Sequence, residues 1–74
     1  MNYLDIIQNA TQASVHVMGE VRQATARYNS NTVCVTIGRT KSNAVLITDD
    51  THNIDADPSE LFKMILDKQM ELLK

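Results

Sequence analysis

Between Tyr3 and Tyr28 the apolar positions recur at helical spacing. At 100° per residue, Tyr3, Ile6, Ile7, Ala10, Ala13, Val17, Met18, Val21, Ala24 and Tyr28 fall within an arc of about 140°. Asp5, Gln8, Asn9, Gln12, His16, Glu20, Gln23 and Arg27 fall opposite. The spacing predicts one long helix, stopped by Asn29-Ser30-Asn31. A rival reading takes Ser14–Met18, the Gly19-Glu20 pair and the residues from Val21 onward as a short hairpin. The helix is preferred because its pattern persists over about seven turns, whereas strand alternation is carried only by Val15 and Val17.

The pattern then changes to a period of two. In Thr32–Gly38, Val33, Val35 and Ile37 alternate with Thr32, Cys34 and Thr36, as in a strand with one buried face. Asn43–Asp49 reads as a second strand, and its run Ala44-Val45-Leu46-Ile47 predicts two dry faces. Arg39-Thr40-Lys41-Ser42 has the length and polarity of a hairpin connection.

A final helix opens at Asp57-Pro58-Ser59-Glu60 with a capping carboxylate, a proline at the first helical position and an acid three residues after the cap. Leu61, Ile65 and Leu72 form one apolar row, and Phe62, Leu66 and Leu73 the adjacent one. Lys63, Asp67, Glu71 and Lys74 face away, and Gln69 lies within the apolar arc. The predicted fold is a small α+β single domain over residues 1–74, in the order helix-strand-strand-helix.

Length turns this order into an assembly argument. A first helix of about 26 residues would run about 39 Å, whereas each hairpin strand reaches only about 23 Å. The surplus seam, with Ala10, Ala13, Ser14, Val17 and Val21 along it, would be wet unless another chain covers it. A two-fold homodimer on that helix is the simplest expectation. The size of the chain points the same way: at 74 residues a domain buries only about 60% of its unfolded surface, and the single Cys34 allows no internal disulfide.

Composition narrows the class. Hydrophobic residues make up 43% and charged residues 22%, which excludes a disordered chain. No apolar run approaches the roughly 18 residues of a membrane span, and no signal-peptide pattern opens the sequence, so a cytoplasmic protein is expected. The net charge of −2 favours no partner. Its distribution is uneven, because residues 49–60 hold Asp49, Asp50, Asp55, Asp57 and Glu60 with no Lys or Arg.

Candidate chemistry is thin. Counted as a calcium loop, Asp49–Glu60 has Ile54 where glycine is needed and follows a strand, so a capped, solvated loop is expected instead. His52 has carboxylates nearby but no second histidine or cysteine at ligand spacing, and no metal site is assigned. Cys34 sits mid-strand as a small packed residue. The two glycines, Gly19 and Gly38, are too few and too far apart for a phosphate loop. No acid, base and nucleophile converge, so no catalytic residue and no cofactor are expected. Arg39 and Lys41 at the hairpin tip, with Arg22 and Arg27, form a candidate anion site for a nucleotide or nucleic acid, although no aromatic residue lies in or beside the tip for base stacking.

The element order is similar to that of YbaB-type nucleoid-associated proteins and of small head-joining proteins of tailed phages, a likeness of order that assigns no residue a role. The functional expectation is a non-enzymatic, self-associating protein that acts by binding another macromolecule, the profile of a small phage or bacterial accessory or inhibitor protein. The alternative is an oligomeric binder of an anionic ligand through the basic hairpin tip.

Overall fold

A computed structural model describes residues 2–74. The elements are α1 (Tyr3–Asn9), β1 (Gln12–Met18), β2 (Val21–Tyr28), β3 (Asn31–Ile37), β4 (Ser42–Ile47), β5 (Thr51–Asn53) and α2 (Pro58–Leu72). The strands form one antiparallel sheet in chain order, β1-β2-β3-β4-β5. The expected helix-strand-strand-helix order is therefore corrected. The first and last elements are helices, but five strands lie between them, and the likeness of order to the nucleoid-associated and head-joining proteins is lost.

The long first helix does not exist. Its first seven residues form α1, capped by the Asn2 side chain, which accepts from the Asp5 N–H at 3.0 Å. The remainder is the hairpin of the rival reading, extended to Gln12–Tyr28. Gly19 takes φ +62° at the first turn position, the conformation that a two-residue turn of type II′ requires there. Asn29 takes φ 56° at the matching position of the next turn, between Tyr28 and Asn31. The β-branched residues Val15, Val17, Val21 and Thr25 also favour strand over helix.

Ala24, one of the positions in the helical arc, belongs instead to a floor of alanines in the sheet. Ala24 and Ala26 on β2 and Ala44 on β4 are buried because helices lie directly over them. Ile6, Ile7, Leu61 and Ile65 from the two helices pack with Val33 and Val35 of β3 around those alanines. Small residues are needed where helix backbones approach a sheet.

Register defines two faces. Ala13, Val15, Val17, Arg22, Ala24, Ala26, Val33, Val35, Ile37, Ala44 and Leu46 share the helix-covered face. The other face is open and carries Gln12, Ser14, His16, Met18, Gln23, Thr25, Arg27, Cys34, Val45 and Ile47. The expectation of two dry faces on β4 is thus corrected: Ala44 is buried, but Ile47 is 39% exposed. Both helices cover the same face, so the molecule is a two-layer slab of 31 × 31 × 17 Å.

The cap and the proline at the start of α2 stand where expected. Asp57 accepts from the Ser59 N–H at 3.0 Å, and Pro58 follows it as the first helical residue. The predicted acidic loop is shortened by β5, whose three residues pair with β4. The helices are joined where the Lys68 ammonium donates to the Gln8 carbonyl at 2.7 Å, at the C-terminal end of α1 where a cation is favoured.

The two rows expected to share the burial of α2 do so unequally. Ile65 is fully buried, whereas Leu66 is 38% exposed. Ile65→Ala is expected to cost about 2–5 kcal/mol in urea unfolding, and Leu66→Ala less than half as much. Gly38→Ala is also expected to destabilise, because a Cβ there would lie 2.5 Å from the Lys41 carbonyl oxygen. Equal losses for the two helix variants would contradict the placement of α2.

Candidate interaction surface

The residues expected to form a dimer seam are dispersed by the fold. Ala10 is buried at the joint between α1 and β1. Ala13 and Val17 lie on the covered face of β1, Ser14 on its open face, and Val21 on the open face of β2. The helical seam is therefore corrected. Three of its five residues, Ala13, Ser14 and Val17, instead fall on β1, an edge strand.

The basic residues do not converge as a group. Arg39 and Lys41, in the β3–β4 loop, lie at the same end of the sheet as Arg22, which pairs with Ile37. Arg27 is five residues along β2, about 17 Å away, and faces the open side. Arg39 is also shared with Glu20 of the first turn, at 3.5 Å between two exposed side chains. Such a pair adds little stability but halves the positive charge of the tip.

The histidine and acidic positions are equally separate. His52 lies 3.9 Å from Asp50, and among the described residues no group of three His, Cys, Asp or Glu side chains is placed to hold a metal. Asp50 is occupied locally, accepting from the Thr51 N–H at 2.9 Å. Cys34 is half-buried on the open face, opposite Thr25 and Val45.

What the structure does bring together is apolar. No polar or charged side chain is buried among the described residues, yet large apolar ones are exposed. Val17 is 65% exposed, Met18 63%, Met70 60% and Leu73 78%. On α2, Phe62, Leu66, Met70 and Leu73 run down one flank at helical spacing. The opposite flank, with Met64, Asp67, Lys68 and Glu71, faces Ile7 and Gln8 of α1 across a small cleft. Among the strands, α2 makes its most extensive contact with β1. Leu66 and Leu73 were visible in the sequence as part of an apolar row. Their exposure was not, because it depends on how much of a helix one sheet can cover. Met18 was placed within the predicted helical seam, and Met70 lies outside the predicted apolar arc of α2.

The two edges of the sheet differ. β5 is three residues long, polar and exposed, with acidic residues just before it. β1 is seven residues long, with no proline, no lysine and no acidic side chain. No helix among the described residues is long and apolar enough to cross a membrane.

Calcium at millimolar concentration is expected to leave the melting temperature unchanged, since Asp50 and Asp57 already serve as backbone caps. An upward shift with calcium and none with magnesium would show a site. The chain matches no protein-family model, no curated protein and no solved structure.

Proposed function

We propose that this chain is a non-enzymatic, self-associating module that acts by contacting another macromolecule. One observation carries the reading. Val17 and Met18 on an edge strand, and Leu66, Met70, Leu72 and Leu73 on α2, which packs most extensively on that strand, are all exposed. Val17 lies on the same side of the sheet as α2, whereas Met18 lies on the open side, and apolar side chains exposed in a group mark interaction sites. A 74-residue fold with a modest core has reason to bury them against another chain. Among the described residues the clefts are open to solvent and no group of three His, Cys, Asp or Glu side chains converges, which favours a binding role over a reaction.

Light scattering on the purified protein tests this reading. The expected mass is a multiple of 8.3 kDa at micromolar concentration. Val17→Glu and Met70→Glu are each expected to shift the mass towards a single chain. Both side chains are mostly exposed, so the fold should persist by circular dichroism. A single-chain mass for the wild type, unchanged by either substitution, would contradict self-association.

A further inference from the structure

Self-association as proposed above leaves open which surface joins the copies, and the backbone of β1 answers that. The two-residue turn at Gly19-Glu20 closes on the Met18–Val21 pair, which is hydrogen-bonded in such hairpins. Counting back by two, Gln12, Ser14 and His16 direct their backbone groups at β2. Ala13, Val15 and Val17 direct theirs outward, and none of these outward groups has a hydrogen-bond partner among the described residues. Sheet edges are normally blunted by brevity, lysine, proline or an inward-pointing charge. β5 uses the first of these, and β1 uses none.

We propose that the free edge of β1 is the site of self-association. A second copy of this chain adds its own β1 antiparallel across a two-fold axis at Val15, joining the two five-stranded sheets into one of ten strands. The self-complementarity of the strand argues for a second copy over any other extended segment. Centred on Val15, the pairing sets Val15 opposite Val15, and Val17 of each copy opposite Ala13 of the other. A large side chain then meets a small one on both sides of the axis. On the open face Ser14 meets His16 and Gln12 meets Met18, so no like charges face each other. An antiparallel pairing of the two β1 strands keeps both helix layers on the same face of the joined sheet, which a parallel one does not. It also matches outward donors to outward acceptors in about six hydrogen bonds, two for each pair formed by Ala13, Val15 and Val17. The exposed Val17 is covered by the pairing, and the second α2 is brought over the same face.

A register-specific cross-link tests the proposal. Paired residues of an antiparallel ladder lie about 5.5 Å apart at Cα, within the range of a disulfide. On a Cys34→Ser background, Val15→Cys is expected to give a covalent dimer on mild oxidation, whereas Met18→Cys, which faces Gln12, should remain largely unlinked. Val15→Pro removes an outward N–H that the monomer does not use, at an edge position where proline is tolerated. It is expected to raise the dimer dissociation constant by about tenfold or more while circular dichroism still reports a folded chain. A wild-type mass of one chain would overturn both this proposal and the broader reading. A dimer that Met70→Glu dissociates, but that Val15→Cys does not link and Val15→Pro does not weaken, would overturn the edge pairing and leave self-association standing through α2. Efficient linking at Met18→Cys with none at Val15→Cys would overturn the two-fold register.

Discussion

The close approach of two helices to the middle of the sheet is the contact on which the rest of the structure depends. Ala24, Ala26 and Ala44 sit beneath α1 and α2, and Ile6, Ile7, Leu61 and Ile65 fill the layer between with no buried polar group to orient. A core built from aliphatic side chains alone gains from burial but gains little directional specificity. Direction comes from the backbone instead, through a meander whose turns at Gly19 and Asn29 allow one register. The Lys68 ammonium on the Gln8 carbonyl then ties the two ends of the described chain together on one face.

The local elements were legible wherever side-chain period and backbone chemistry agreed. β3, β4 and α2 were read from alternation and from the Asp57-Pro58 start, and all three are present. β1 and β2 were misread because Ala13, Val17, Val21, Ala24 and Tyr28 satisfy a helical period by coincidence of two strands and a two-residue turn. The turn residues Gly19-Glu20 held the correcting information. A glycine on the polar side of a supposed helix is a cost without a use, whereas at the first position of a hairpin turn it takes the positive φ without strain. β5 was lost inside an acidic loop, since three residues with exposed side chains leave no periodicity to read.

The candidate surface was legible in its residues but not in its geometry. Ala13, Ser14 and Val17 were singled out as small or apolar positions facing a second chain, on the argument that a long helix outreached its cover. The fold keeps three of those residues together on an edge strand and changes the reason. The issue is unpaired backbone beside exposed apolar side chains, not surplus helix length. The basic positions show the reverse. Arg22, Arg27, Arg39 and Lys41 look like a group when counted along the chain, yet strand direction sends Arg27 to the far end, and Glu20 occupies Arg39.

The meander also governs the order in which the molecule is assembled. Every strand pairs with its neighbour in sequence, so the sheet can zip up through short loop closures as the chain is made. The cover is different. α2 follows all five strands, and its buried row reaches back to β1, more than forty residues earlier. During vectorial synthesis the part of the alanine-floored face that α2 covers is therefore complete and wet before that helix exists, with only α1 already available to pack on it. The interval between closing β4 and docking α2 is when neighbouring nascent chains are most exposed to one another.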